Sequence, residues 1–438
     1  MTSVAPYSDQ FAAYSANGGG EGPSWLPTLR QQAFERFAAL GFPTTRDEDW
    51  HYTSVTPIAE RTFKAVKPQA TTLTLSDLKP WLVDEAWHRL VFVNGRLEPA
   101  LSNFAELSAE VHVSTLSDAL REQPEWVQKH LGALAGFDRA AFTALNTAFM
   151  QDGVVVRVPK GEVVEVPLHI LNVVDAQANG AAIHPRLLVV AEALSQLVLV
   201  ESYVGMGKAS YLVNGVAEIT VGSGARVDHY KVQRDNLEAF HVGTVQVTQG
   251  RDSIYHSFSY AAGAELSRTN VYTKLAGTGS EARLNGLYVL DGNQHADHQT
   301  YVEHLAESCA SRELYKGILD GASHGVFNGK VYVDPIAQKT DGKQTNKALL
   351  LSDKARVDTK PQLEIFADDV KCTHGATIGR LDDLALFYLK SRGIGGENAR
   401  ALLTYAFAAE VLETIEIDSL RLELERAVFE RFTHLALE

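Results

Sequence analysis

Cys372 and His374 are the two residues of this chain whose types and spacing best suit metal chemistry. They lie in DDVKCTHGATIG, residues 368 to 379, and Cys372 is one of only two cysteines in the sequence. If this segment is extended, residues two apart project from the same face, with Cα atoms roughly 6.6 Å apart at a rise of ~3.3 Å per residue. A thiolate and an imidazole would then point the same way, and both bind iron or zinc. The spacing predicts a metal-ligand role, with a buried cysteine beside an ordinary histidine as the alternative.

A complete metal site needs more ligands than this segment offers. Structural zinc takes about four protein ligands, and iron-sulfur clusters are usually held by about four thiolates. Cys309 is the one other cysteine. We therefore expect that the chain alone binds no cluster stably, and that a centre at Cys372 would be transient or completed by a second polypeptide.

A second group of candidate ligands is His295, His298 and His304 with Glu303, in GNQHADHQTYVEH. Imidazole and carboxylate together suit iron, manganese or zinc, so a β-fold metalloenzyme is an alternative hypothesis. In a strand, however, residues three apart face opposite ways. Solvated or hydrogen-bonded strand histidines are the simpler interpretation.

Nucleotide-binding motifs are not convincing in this sequence. None of the Gly-Lys pairs at 207–208, 329–330 and 342–343 has the earlier glycine and following hydroxyl of a P-loop. The segment GTGSEA, residues 277 to 282, fits GxGxxA, but strand-like residues follow it where a dinucleotide site requires a helix. An esterase-type nucleophile elbow is likewise not predicted.

Charge and composition narrow the classes of partner. A net charge of -14 disfavours nucleic acid, because phosphate binding requires clustered Lys and Arg. No stretch approaches the ~20 apolar residues of a membrane-spanning helix. No basic residue precedes Arg30 and no apolar run of signal-peptide length is present, while two cysteines are too few for a disulfide framework. We expect a cytoplasmic protein that binds neither nucleic acid nor membrane.

The first part of the chain reads as a linker, a helix and a hairpin. The segment SANGGGEGP, residues 15 to 23, predicts a flexible linker ahead of the first ordered element. A helix is predicted over residues 26 to 40, ended by Gly41. The Asn-Gly pair in RLVFVNGRLEP, residues 89 to 99, predicts two strands joined by a tight turn.

From about residue 152 to 358 the sequence is typical of β-structure. Short β-branched runs alternate apolar and polar residues and are separated by glycine turns such as GSGA at 222 to 225 and GTGS at 277 to 280. Regular short strands fit a sandwich, a barrel or a solenoid. Periodicity alone does not choose, and no strict repeat is visible.

After Cys372 the pattern changes to helix. Apolar residues at i, i+3 and i+4 predict one helix over residues 381 to 393 and a second beginning near Glu397. This helical hairpin either packs only on its own core or presents an exposed docking face.

With these residues assembled, the sequence resembles the SufB/SufD family of iron-sulfur cluster assembly scaffolds along most of its length. DEDWHYTSV at 47 to 55 is similar to the family's E-x-W-x-Y-T signature, and LVFVNGRLEPALS and FTALNTAFMQDG resemble later blocks. Toward the C-terminus the resemblance covers YKGILDGASHGVFNGKVYVDPIAQKTDGKQTNKALLLS and then the long, specific block PQLEIFADDVKCTHGATIGRLDDLALFYLKSRGI. Within it, DDVKCTHG resembles the D subunit rather than the B subunit, whose extra cysteines are absent.

The resemblance implies a mainly β protein with a right-handed parallel β-helix core between helical N-terminal and C-terminal segments. The implied domains are a mainly helical N-terminal domain over 1–150, the β-helix core over 151–365 and a C-terminal helical domain over 366–438. It also implies a non-enzymatic scaffold subunit that supports cluster assembly and iron acquisition. The expected partners are a B-type paralogous subunit and an ABC-type ATPase, the C subunit, with a homodimer as a further expectation.

The resemblance also assigns roles to residues. In the family, the cysteine and histidine of the DVKC-x-H block lie at the contact between B and D subunits, and the C-terminal helices dock the ATPase. By position, His374 is the better candidate for binding iron or a transient shared cluster, and Cys372 acts chiefly in the interface. Reduced flavin is associated with the assembled complex, although no residue here can be assigned to it. The residues expected at partner interfaces are Cys372, Leu384, Phe387, Tyr388, Arg392 and Phe407.

Overall fold

The computed structural model describes residues 4–16, 22–66, 70–104 and 111–432. Within them, the α-helices are α1 (Ala5–Tyr14), α2 (Trp25–Leu40), α3 (Thr56–Ala59), α4 (Leu75–Leu78), α5 (Leu116–Glu122), α6 (Pro124–His130), α7 (Ala141–Phe149), α8 (Asp383–Ser391), α9 (Gly396–Leu412) and α10 (Asp418–Phe432). The strands are β1 (Lys64–Ala65), β2 (His88–Val93), β3 (Arg96–Leu97), β4 (His112–Thr115), β5 (Gly153–Val158), β6 (Leu168–Val174), β7 (Ala181–Ile183), β8 (Arg186–Ala191), β9 (Gln196–Gly205), β10 (Leu212–Val221), β11 (Arg226–Arg234), β12 (Phe240–Gln249), β13 (Ile254–Ala261), β14 (Leu266–Leu275), β15 (Glu281–Leu290), β16 (His295–His304), β17 (Ala310–Leu319), β18 (His324–Val333), β19 (Asp341–Leu350), β20 (Arg356–Ile365) and β21 (Lys371–Gly379). Short 3-10 helices lie at Glu48–Trp50, Lys79–Trp81, Pro99–Leu101 and Ala176–Ala178.

The core is a parallel β-solenoid of about 8 turns. Its strands alternate between two sheets: even-numbered strands from β8 to β20 form sheet A, and odd-numbered strands from β9 to β21 form sheet B. Successive coils pair in parallel, as between Tyr272 and Tyr301 in sheet A or Gly342 and Cys372 in sheet B. The predicted parallel β-helix is therefore confirmed. The sandwich alternative is wrong, since it would require antiparallel pairing.

Side chains alternate between the interior and the outer face along each strand, and the inward-facing ones build the solenoid core. Val247 of β12 lies beside Ile219 of the preceding coil, and both are buried in the interior cluster, where each contributes about 1.5–3 kcal/mol. Glycines form turns between strands: Gly224 and Gly279, from the predicted GSGA and GTGS turns, have φ of 66° and 77°. Glycine adopts this left-handed conformation without steric cost.

The N-terminal helices pack on sheet A through aromatic side chains. Phe11 of α1 stacks on Phe34 of α2 with ring centroids 4.3 Å apart, and their cluster extends to Phe240 and Val242 of β12. The prediction that residues 15 to 23 precede the first ordered element is wrong, because α1 precedes them and is held by Phe11. Residues 17–21 of that segment lie outside the described residues.

The predicted helix over 26 to 40 and the predicted hairpin are confirmed. Helix α2 ends before Gly41, and Phe92 of β2 pairs with Leu97 of β3 in antiparallel register. Asn94 and Gly95 at the turn both have positive φ, 51° and 81°, as the tightest hairpin turns require. Strand β2 also pairs in parallel with β6, so the N-terminal segment adds strands to sheet B.

Helices α8 and α9 confirm the predicted C-terminal hairpin, and α10 is a third helix that was not predicted. Val411 of α9 and Leu424 of α10 are buried with Leu287 and Ile318, which lie on the outer face of sheet B. Helices α9 and α10 therefore complete a core. No helix in the part of the chain that the structure describes has the length and apolar character to cross a membrane.

Candidate functional site

The C-terminal end of the solenoid is formed by β20 and β21, the last strands of sheets A and B. In the described residues, no further strand pairs with their outer edges. Nearly every residue of β21 is exposed, whereas seven of the ten residues of β16 are buried. Such edges present unpaired backbone N–H and C=O groups. We call this surface, residues 356–365 and 371–379, the open end.

Cys372 and His374 lie together on β21, in the extended segment that the sequence predicts. Their register partners on β19 are Gly342 and Gln344, respectively. Cys372 is half-buried and His374 is exposed. A Cβ atom on Gly342 would lie 3.3 Å from the Cys372 Sγ, so this glycine leaves room for the thiol. The pair therefore borders the solenoid interior at the open end.

The surroundings of Cys372 favour its neutral thiol. Burial raises the pKa of Cys372, a hydrogen bond from the Gly342 backbone opposes that rise, and the Asp341 carboxylate adds to it. A metal ligand must be a thiolate. Binding at Cys372 thus requires loss of a proton, which a metal ion or a cationic partner group would promote.

The structure does not bring His295, His298, His304 and Glu303 into one site. The His295 side chain lies outside the solenoid, where Nε2 is 2.9 Å from the Thr53 hydroxyl. His304 points inward and its Nε2 is 2.9 Å from the Ser311 hydroxyl. Burial lowers the pKa of all three histidines to about 4, so they are neutral at pH 7. Because their side chains lie on opposite faces of β16, the structure does not support the metalloenzyme alternative.

Among the described residues, one other group could gather around a metal: Asp228, His256 and Glu416, whose ligand atoms lie within 4.8 Å of one another. The Arg226 guanidinium already occupies this group. It binds Asp228 Oδ2 through Nε at 2.8 Å and Glu416 through Nη2. These contacts offset part of the carboxylate charge, and the resulting ion-pair network ties the α9–α10 connection to sheet B.

Helix α8 presents an apolar face to solvent. Leu384, Phe387 and Tyr388 are 77%, 70% and 56% exposed, and the Arg392 guanidinium lies 5.2 Å from the Tyr388 ring centroid. Exposed apolar clusters of this kind mark interaction sites. Four of the five helix residues predicted at a partner interface therefore lie on or beside one accessible surface.

Phe407, the fifth of these helix residues, is placed differently. Its ring is half-buried on the solenoid, 4.3 Å from Lys316 Nζ, and its carbonyl accepts a hydrogen bond from the same ammonium at 2.6 Å. Lys316 and Lys347 also bind Glu410 of α9. Phe407 thus packs α9 on sheet B and does not lie on the exposed face of α8.

The E-x-W-x-Y-T segment contains buried contacts that sequence reasoning did not predict. The Thr53 hydroxyl donates to Asp297 at 2.6 Å, and Arg268 donates to Asp297 and to the Asp49 carbonyl, each at 2.6 Å. The Arg268 guanidinium lies 3.7 Å from the Trp50 ring centroid. The segment therefore anchors the N-terminal region to the outer face of sheet A.

The pentapeptide GASHG at residues 321 to 325 fits the GxSxG pattern, which the sequence-based exclusion of an esterase overlooked. Ser323 is fully buried between two strands and donates to the Asp320 carbonyl at 2.7 Å. A nucleophile elbow requires an exposed serine on a turn from strand to helix. Ser323 is therefore a turn residue.

Two family models together match most of the chain. The model described as "SufBD protein N-terminal region" matches residues 1–170, and "SUF system FeS cluster assembly, SufBD core domain" matches residues 173–407. An iron-sulfur cluster assembly SufBD family protein of Synechocystis is 35% identical over 93% of this chain and 92% of its own length. The iron-sulfur cluster assembly protein SufD of Escherichia coli is 33% identical over 92% of each chain. Its namesake in Bacillus subtilis is 30% identical over 92% of this chain and 93% of its own.

Proposed function

Because the chain belongs to the SufBD family of iron-sulfur cluster assembly proteins, we propose that it is a cytoplasmic, non-enzymatic D-type scaffold subunit. The observation that carries this proposal is the placement of Cys372 and His374 on the last strand of an uncovered solenoid end. A site at that position is open to a second protein. It is also short of ligands, so the cluster or iron would be transient and shared.

The open end supports a B-type subunit as the partner. Repeat proteins normally cover their terminal repeats with a polar cap, and unpaired strand edges invite pairing with another chain. Phe366 and Ile378 are 59% and 48% exposed at this end and would be buried by a partner. A second solenoid of similar cross-section could continue both sheets and supply the missing ligands around His374.

The face of α8 supports docking of an ABC-type ATPase. Leu384, Phe387 and Tyr388 are available there, while α9 and α10 are held on sheet B. An ATPase that binds this face differently in its two nucleotide states would shift the position of α8 relative to the solenoid. The ATPase would thereby regulate access to the shared site.

Co-expression with the B-type and ATPase subunits tests the proposal. His374→Ala should leave the complex intact but lower the cluster content, measured anaerobically from iron-sulfur absorption. Thr373→Ala is the matched control, because Thr373 is the exposed neighbour on the opposite face of β21. Wild-type cluster content in an intact His374→Ala complex would contradict the assigned role.

A further inference from the structure

The part of the solenoid interior directly behind His374 is polar. Glu313 of β17 and Gln344 of β19 occupy successive positions of the inward-facing column that ends at His374. Glu313 is 3% exposed and Gln344 is 1% exposed. One coil earlier, the same column is occupied by Leu284, which separates this polar pair from the buried Ser257 and His229 of the preceding coils.

Glu313 fixes the Gln344 amide. Gln344 Nε2 donates to Glu313 Oε1 at 3.2 Å, and the Thr300 hydroxyl from the facing sheet donates to Glu313 Oε2 at 2.5 Å. The amide nitrogen of Gln344 therefore faces Glu313, and its oxygen faces away from that carboxyl. The orientation of Gln344 is thus determined by a buried carboxyl that is itself held from both sheets.

The other end of the Gln344 amide lacks a partner. Gln344 Oε1 is buried and accepts no hydrogen bond in the described structure. Leaving a buried acceptor unpaired costs about 1–3 kcal/mol, so an unpaired group calls for an explanation. The next side chain along the column is His374, on a strand about 4.8 Å away. The imidazole ring is exposed and carries an N–H that can donate.

We propose that Gln344, oriented by Glu313, is a positioning residue for His374, accepting a hydrogen bond from one ring nitrogen so that the other is presented to iron or a cluster. This inference rests on the proposed function. A metal-bound histidine usually donates its second N–H to an oxygen, which fixes the tautomer and ring orientation. The contact requires only that the exposed ring turn toward the interior when a partner covers the open end.

The first test is a double-substitution cycle in the co-expressed complex. Removal of such an outer partner typically costs about 10–100-fold in metal affinity or activity. Gln344→Met keeps the length of the side chain but removes the acceptor, and it should lower cluster content nearly as much as His374→Ala. In the His374→Ala background it should cause no further loss, because it acts through His374. Gln344→Glu combined with Glu313→Gln exchanges the two groups, so that an amide still donates to a carboxyl and an acceptor oxygen still faces His374, and it should restore most of the cluster.

The second readout is the His374 tautomer in the co-expressed complex, measured by NMR with only this chain ¹⁵N-histidine-labelled and assigned by the signal lost in His374→Ala. Gln344→Met should shift the tautomer ratio of His374. The control Gln249→Met removes another buried glutamine whose Oε1 is unpartnered but which lies on β12, away from the open end, and it should leave the ratio unchanged.

The outcomes separate the two proposals. If His374→Ala lowers the cluster content while Gln344→Met changes neither cluster nor tautomer, the positioning role is wrong and the scaffold function stands. The positioning role would also be wrong if the double variant lost the sum of the cluster content lost in the two single variants, because that result would show that Gln344 does not act through His374. If His374→Ala has no effect on cluster content, the proposed function itself fails.

Discussion

Replacing Glu313 by glutamine should stabilise the protein increasingly as the pH rises. Burial raises the pKa of Glu313 from 4.5 to about 7, against the opposing hydrogen bonds from Thr300 and Gln344. A carboxyl whose pKa is higher in the folded state binds its proton more tightly there. Its stabilising contribution is therefore complete below about pH 4.5 and is lost as the pH rises through about 7. Above that pH, wild-type Glu313 is a buried charge.

The expected magnitude follows from the two pKa values. A change from about 4.5 to about 7 corresponds to roughly 3 kcal/mol at 1.36 kcal/mol per pKa unit. For a chain of this length, 1 kcal/mol shifts the melting temperature by about 1–2 °C. Glu313→Gln should thus melt about 3–6 °C above wild type at pH 8.5 and within about 2 °C of it at pH 5, measured by scanning fluorimetry.

Two features make this pH profile specific. Burial, followed by the charge of Glu313, raises the pKa of neighbouring Tyr315 well above its ordinary value, so that phenol stays neutral across the range. The control Glu303→Gln removes a carboxyl on the outer face of β16, 3.7 Å from Lys274, and should not raise the melting temperature at pH 8.5, because it removes an ion pair and not a buried unpaired charge. A Glu313→Gln curve that runs parallel to wild type between pH 5 and 8.5 would refute the reasoning.

Asp297→Asn should lower the free energy of unfolding by about 3–5 kcal/mol, because it leaves the buried Arg268 guanidinium uncompensated; urea denaturation measures the loss, and a change below about 1 kcal/mol would contradict it. Phe387→Asp should abolish co-purification of the ATPase subunit while the melting temperature changes by less than about 1 °C, since this side chain is 70% exposed and packs on no core; retention of the ATPase would exclude α8 as the docking face. Cys372 should alkylate more slowly than free cysteine at pH 8, because its pKa is raised; Cys372→Ser gives the background from Cys309, and a rate at or above that of free cysteine would show a thiolate instead.

The strands were predictable from local alternation, but their arrangement was not. Register partners on successive coils lie 26 residues apart from Phe240 to Leu266 and 33 apart from Gly153 to Arg186. This variation hides the period of the solenoid. Each coil has only to match the register of its neighbour. The structural repeat therefore does not require a fixed number of residues per coil. The family resemblance was therefore needed to predict the parallel β-helix.

The site was predictable only where its geometry is local. Cys372 and His374 are two residues apart on one strand, so their shared face follows from the strand period. Gln344 lies thirty positions before His374, and its proximity depends on the length of the intervening coil. Helix α10 was missed although its signal is local: its buried Leu420, Leu424 and Val428 recur at i, i+4 and i+8, the spacing of an amphipathic helix.

The open end holds both the candidate ligands, which are too few for a complete metal centre, and the unpaired strand edges that a partner can bind. Helices α9 and α10 cover a side of the solenoid and leave its end exposed, so the strand edges and the candidate ligands are uncovered together. A partner that pairs with β21 must also change the solvation of Cys372 and His374. Subunit association would then raise the affinity for the metal, and metal binding would raise the affinity between the subunits by the same factor. On this reasoning, the affinity of the proposed site for iron is a property of the assembled subunits.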